Sequence, residues 1–303
     1  MVTKLKALLY HQNFIFVLAV MAGLFFDHGA QWTSPFVIPV LSIVMTLSII
    51  GISNNVLSSL RSHVTPILLG IFMNFIILGN FIIGMSAFLI HEEALWIGFI
   101  LIAAVPPAVS LSTLTGHFKG NETYTVAGTI GAYIGALIII PVIAFGLLDI
   151  NAIDTTKLFV VAIELIIIPV VISRILIWKQ LNERIKPVRG IITDWSFFLI
   201  IYTLVGLNRE TIMGQPFSLA PVAIIGFAST FLLGFLIELT GTLLHFNREK
   251  LTSLFLLGTL KNYALAGGLA LSLFSKEAAL PATILTIVMF IYTTWLNFKM
   301  RWT

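Results

Sequence analysis

Apolar runs of roughly 20 residues recur from one end of this chain to the other, separated by short polar breaks. An α-helix needs about that length to cross the hydrocarbon core of a bilayer. Ten spans are predicted: Leu8 to Phe26, Phe36 to Leu57, Ile67 to Ile90, Leu95 to Thr115, Thr125 to Leu148, Leu158 to Trp178, Ile191 to Leu207, Ala220 to Leu244, Leu251 to Phe274 and Ala278 to Phe298. The breaks leave no room for a separate soluble domain, so residues 1–303 are expected to form a single all-α integral membrane domain. Met1 to Lys6 is basic and precedes an apolar stretch as a signal peptide would, but Ala19 to Asp27 offers no small-residue cleavage site, so the first span is expected to be retained.

Charge fixes the expected orientation. With both termini cytoplasmic, the inside segments collect Lys4, Lys6, Arg61, Lys119, Arg174, Lys179, Arg184, Lys186, Arg189, Arg248, Lys250, Lys299 and Arg301, and only Lys157, Arg209 and Lys276 fall outside. Cytoplasmic loops carry such an excess of Lys and Arg, and Trp32, Trp96, Trp178, Trp195 and Trp295 fall near span ends, where indoles prefer to lie. A multi-pass protein of the plasma (inner) membrane is expected.

The longest inside loop, Lys179 to Gly190, divides the chain into two groups of five spans, about residues 1–150 and 151–303. Five is odd, so the groups are expected to be inverted relative to each other. In such repeats the substrate site lies at a matched pair of Gly- or Pro-interrupted spans. The fourth span is interrupted by Pro106-Pro107, followed by Ser110, Ser112, Thr113 and Thr115. The ninth carries Gly258, Lys261-Asn262 and Gly267-Gly268. Broken backbone in hydrocarbon leaves polar groups without partners unless protein or a water-filled cavity supplies them, so one shared cavity is expected.

Lys261 lies too deep in its run to snorkel, with about ten apolar or weakly polar residues on either side. An intramembrane ionisable residue marks a binding or transport site by default. Together with helix N-termini at the break, it favours an anionic substrate. Glu164, inside the sixth span, and Glu238, near the inner end of the eighth, are candidate partners for it.

Composition narrows the function classes. The chain is 58% hydrophobic and 10% charged, where soluble domains carry about a quarter. Absence of cysteine excludes disulfides, thiolate metal sites and cysteine nucleophiles. A net charge of +4 arises from scattered loop bases rather than a stripe, so no nucleic-acid partner is expected. His11, His28, His63, His91, His117 and His245 sit at span edges without metal-ligand spacing. Gly51-Ile52-Ser53-Asn54-Asn55 lacks the second glycine of a nucleophile elbow, and Ser53-Asn54-Asn55 reads as a helix stop. Asp27, Asp149, Asp154 and Asp194 are too scattered for a magnesium cluster. No charged ring or filter loop of a channel is visible. No enzyme activity and no cofactor are expected.

At the two interrupted segments the sequence resembles the bile acid:sodium symporter family and its wider group of ten-helix organic anion transporters. The residues are Val105-Pro106-Pro107-Ala108-Val109-Ser110-Leu111-Ser112 with Gly120-Asn121, and the run from Lys261-Asn262-Tyr263-Ala264 through Gly267-Gly268 to Ala278-Ala279-Leu280-Pro281. The resemblance implies a core domain with crossed, unwound fourth and ninth helices, a separate panel domain, and alternating access between them. It also implies that the family's Ser-Asn pair stands here as Leu111-Ser112, that two fifth-helix hydroxyls of its sodium site stand as Thr125 and Thr129, that a glutamate is replaced by Leu257, and that a glutamine is replaced by Lys261 beside the retained Asn262. A carboxylate ligand is lost and a fixed cation gained, which argues against sodium coupling because like charges at close range repel.

The expected function is secondary active transport of a small organic anion, with the bilayer as the other partner. Site residues are Lys261, Asn262, Pro106, Pro107, Ser110, Ser112, Thr113, Thr125, Thr129 and Glu164. Lys261 stands either as a brace in place of the missing ion, giving a uniporter, or as a group that sheds its proton and couples transport to pH. A cation/proton antiporter, and a sodium symporter with an altered site, are the alternatives. Substrate identity, direction and oligomeric state are not legible in the sequence.

Overall fold

The computed structural model describes residues 12–50, 64–108, 110–147 and 155–299. Met1 to Lys6, His11, Ser53-Asn54-Asn55, Arg61, His63, Val109, Asp149, Asp154 and Arg301, noted above, lie outside these residues. Among the described residues the secondary structure is helical apart from one isolated antiparallel bridge between Pro107 and Lys261.

Each apolar run carries helix. In chain order the principal elements are α1 (Gln12–Phe25), α2 (Asp27–Ile50), α3 (Val64–Leu89), α4 (Glu93–Ala104), α5 (Leu111–His117), α6 (Glu122–Leu147), α7 (Thr155–Trp178), α8 (Arg189–Leu207), α9 (Pro216–Leu243), α10 (Arg248–Leu257), α11 (Tyr263–Leu273) and α12 (Lys276–Lys299). Among the described residues, six stretches are long and apolar enough to cross a membrane: α2, α3, Glu122–Ile143 of α6, α8, α9 and α12. Helices α4 and α5, like α10 and α11, are halves of one interrupted run. The halves of the chain repeat one order of elements: two helices, a third containing a π-helical stretch, a broken fourth and a long fifth. The π-helical stretches are Phe72–Gly79 in α3 and Ala228–Leu232 in α9. Such wide turns in a helix frequently mark functional sites.

Two packing groups result. Helices α1, α2, α7 and α8 pack on one another, α8 lying against both α1 and α2, and α7 along α2. In the second group α6 runs along α3, α12 packs on α4, α9 and α11, and the broken helices thread between them. The α4–α5 and α10–α11 interruptions sit inside this second group, where Phe99 to Val105 and Leu256 to Leu260 are buried throughout. The outer surfaces are the reverse of a soluble protein's. Leu68, Phe72 and Ile76 form an exposed apolar stripe on α3, and Ile291, Trp295 and Phe298 form another on α12. Apolar surface on that scale needs a hydrocarbon environment or a partner to cover it.

Close helix contact depends on particular glycines. The Cβ of any other residue at Gly70 of α3 would overlap the backbone of Gly128 on α6, and one at Gly131 would stand 2.7 Å from the Ile67 carbonyl. Gly128 and Gly131 both stand at this contact, whereas a Cβ at Gly84 meets nothing within 4 Å. Gly70→Val is therefore expected to cost about 1–3 kcal/mol through overpacking, read as a lower unfolding midpoint in detergent. Gly84→Ala leaves that midpoint unchanged or higher. Equal midpoints for Gly70→Val and wild type would show that the α3–α6 contact is looser than described.

Candidate functional site

The site begins with two prolines. In a continuous helix the amides of residues 106 and 107 would bond to the carbonyls of Ile102 and Ala103, and proline supplies neither amide hydrogen. The residue before a proline is also driven out of the helical region, and Val105 is extended at φ −73°, ψ 154°. Helix α4 therefore stops with its last carbonyls unpaired and its negative dipole end inside the protein. The second interruption arises where Gly258 ends α10 and Asn262 starts α11, the Asn262 side chain accepting from the Leu265 amide at 3.1 Å. The two unwound segments cross as a single antiparallel rung, and the Asn262 amide donates to the Pro106 carbonyl at 3.0 Å.

Lys261 closes this crossing. Its Nζ donates to the Ala103 carbonyl at 2.7 Å, the Val105 carbonyl at 2.9 Å and Asn74 Oδ1 at 2.9 Å. It also lies 4.6 Å from the centroid of the Phe75 ring, within cation–π range. An ammonium has three donors and no acceptor. All three are used, on oxygen atoms only, so the charged amine fits the pocket without a spare group, whereas a neutral amine would turn its lone pair toward an oxygen. One of those oxygens is the Ala103 carbonyl that Pro107 leaves unpaired. Lys261 is fully buried, at 0% exposure.

Asn74 serves the other broken end. Its Nδ2 points to the Leu257 carbonyl at the end of α10, at 3.4 Å, while its Oδ1 receives Lys261. The π-helical stretch of α3 thus presents one amide to both interruptions. On the opposite side Tyr133 of α6 donates to the Pro107 carbonyl at 3.3 Å and lies 3.5 Å from Asn262 Nδ2.

A cavity of about 590 Å³ lies beside the crossing, between the two packing groups. Its wall from the second group includes Ser110, Ser112 and Thr113 at the start of α5, with Thr129 and Tyr133 on α6. The facing wall includes Ile166 and Val170 on α7 and Phe197 on α8, and the end away from the crossing carries Ser48, Arg174, Arg189 and Gly190. Arg174 donates to the Ile49 carbonyl at 2.9 Å. Arg189 has no ion-pair partner among the described residues. A smaller cavity of about 80 Å³ adjoins the large one, and its lining includes Lys261, Asn262, Ala264 and Thr286. Ser110, Asp194 and Phe197 line both.

The structure gathers the expected site residues unevenly. Lys261, Asn262, Pro106 and Pro107 meet at the crossing. Ser110, Ser112, Thr113 and Thr129 line the large cavity. Thr125 is buried away from it, accepting from Thr115 at 3.1 Å. The pairing of Lys261 with Glu164 or Glu238 is corrected: its bonds go to neutral oxygens, Glu164 lies on α7 and lines neither cavity, and Glu238 pairs with Lys299. Two free carbonyls and an amide oxygen leave no donor over for a carboxylate. Also corrected is the source of cavity charge, because the cations on the large cavity are Arg174 and Arg189, not Lys261. Sequence reasoning missed Asn74, Tyr133, Arg174, Arg189 and Asp194 as site residues. The available signal for Asn74 was an amide in the middle of an otherwise apolar run.

Crossed broken helices under a lipid-matched apolar exterior define a multi-pass membrane transporter. A model of the SBF-like CPA transporter family matches residues 12–296, and the chain belongs to that family. A search of curated proteins finds no match.

Lys261→Met would leave three buried acceptors without a donor. At about 1–3 kcal/mol for each unsatisfied group, a loss on the order of 3 kcal/mol or more is expected, read as a lower unfolding midpoint in detergent. An unchanged midpoint would mean that the crossing holds without the amine.

Proposed function

We propose that this protein moves a small organic anion across the membrane by alternating access, through the cavity between the two packing groups. In this reading the chain crosses the membrane ten times as inverted five-helix repeats with both termini cytoplasmic. The group α1, α2, α7 and α8 is a panel against which the broken-helix group rocks. The observation that carries the proposal is the cavity itself: it adjoins the crossing, holds about 590 Å³, and combines apolar walls with two arginines and a row of hydroxyls. Ligand sites of that size range, apolar with a few placed polar groups, are the common form. Guanidinium groups match a carboxylate or sulfonate in charge and shape, and the hydroxyls of Ser110, Ser112 and Thr113 offer further donors.

Lys261 has a separate task in this cycle. It stands where an alkali cation would be held by neutral oxygens, and its tether makes that cation permanent. Transport therefore runs without sodium. The amine keeps α3, α4, α10 and the start of α11 moving as one body, which reserves motion for the boundary between the groups.

The test is uptake of radiolabelled organic anions into proteoliposomes, with thermal shift as the binding assay. A ligand at 100 times its Kd stabilises the folded protein by about 2.7 kcal/mol, so at least one anion of a carboxylate and sulfonate panel should raise the unfolding midpoint, equally in sodium and in potassium. Arg189→Gln is expected to weaken that anion by about 10- to 100-fold, the worth of one charged hydrogen bond. Strict sodium dependence, or stabilisation by monovalent cations in competition with the anions, would overturn the proposal.

A further inference from the structure

All three N–H groups of Lys261 are engaged on protein oxygens, which directs attention to the carboxylate that lines the same small cavity, Asp194. Asp194 sits in the first turns of α8 and lines both cavities, at the seam where Ser110 and Phe197 are also shared. It is half-buried. No ion pair or hydrogen bond to its carboxylate is present among the described residues. Among the described residues it is the single carboxylate on either cavity wall, as Glu164 and Glu238 face elsewhere.

The groups that face Asp194 can be named element by element. On its own helix comes Arg189, at the start of α8; from α7 comes Arg174 and from α6 comes Tyr133. From the crossing come Lys261 and Tyr263. Helix α1 contributes Ile15 and Phe16, neither ionisable, and α12 contributes Thr286 and Met289, its charged residues lying at its ends. The part of α2 against α8 runs without an ionisable residue from Thr33 to Ile50, and Asp27 is engaged with Arg209 at 3.8 Å at the far end. Arg174 donates to the Ile49 carbonyl and Lys261 to the three oxygens of the crossing, so a carboxylate at the seam has no ion-pair partner among the described residues.

We propose that Asp194 is the proton-binding residue of the transport cycle, taking a proton when an organic anion enters the large cavity, so that the two cross together. This rests on the anion-transport reading above. An anion held between the arginines and the hydroxyls of α5 lies against the same wall as Asp194, and two negative charges sharing one low-dielectric cavity favour protonation of one of them. The proton comes from the solution that fills the cavity and leaves on the side to which the seam next opens. No bond other than the carboxyl O–H forms or breaks. Phe197, one turn along α8 and shared by both cavities, separates the two sides of the seam.

Two measurements on the full-length protein in lipid test this. The first is infrared difference spectroscopy during a pH titration without ligand. The other twelve Asp and Glu carboxyls give C=O bands common to both proteins on acidification, and one further carboxyl component is expected in wild type and absent in Asp194→Asn. The same spectra for wild type and Asp194→Asn would overturn the proposal, whatever the protein transports. The second uses taurocholate as the probe anion, because its sulfonate stays ionised across the titration. Its apparent affinity in wild type should fall by up to about tenfold per pH unit on the alkaline side, and Asp194→Asn should bind it with a nearly constant affinity. A pH-independent wild type, or an Asn variant that keeps the wild-type slope, would overturn the coupling. If taurocholate and the wider anion panel bind to neither protein while the carboxyl band is still lost in Asp194→Asn, the proton site stands and the anion reading falls.

Discussion

Everything in this molecule that is unusual for a bundle of apolar helices follows from the three hydrogen bonds of one ammonium group. A membrane helix can be interrupted only if its freed carbonyls find donors inside the protein. Here Pro107 frees the Ala103 carbonyl, and Lys261 supplies donors, at 2.7–2.9 Å, to it, to the Val105 carbonyl where α4 stops, and to Asn74 Oδ1. Burying a charge is costly unless it is paired or fully hydrogen-bonded. The lysine and the broken helix therefore each remove the other's penalty. Neither feature is tolerable alone, and their coincidence at one depth holds the interruption at one place in the fold.

From that contact the division of labour between the helices becomes intelligible. Asn74 reaches both broken ends because its own helix is widened into a π-helical stretch at that point. Tyr133 and Asn262 finish the far side of the rung. The crossing is consequently a block in which every N–H of the Lys261 ammonium is engaged on a protein oxygen. The large cavity, with Arg174, Arg189 and Asp194 on its wall, lies where this block meets the α1, α2, α7 and α8 group.

The sequence showed much of this in advance, because its strongest signals are local. Each of the ten apolar runs carries helix, and both interruptions fall where Pro106-Pro107 and Lys261-Asn262 placed them. What it misplaced were long-range partnerships. Glu164 and Glu238 were natural mates for a buried lysine by charge, yet one lines neither cavity and the other binds Lys299. Thr125 and Thr129, alike in sequence, differ in place: one is bound to Thr115 and the other faces the cavity.

Run length, proline chemistry and the cost of a charge in hydrocarbon are properties of a segment and its solvent, so the chain by itself determined that it is a helical membrane protein with two broken helices and a lysine at the break in one of them. Which oxygen atoms receive that lysine, which arginines reach the cavity, and that Asp194 lies at the seam between two cavities were decided only by tertiary packing. Residues 74, 103 and 261 are brought together by helices far apart in the chain, and a hydrophobicity pattern carries no information about which face of each helix turns toward the others.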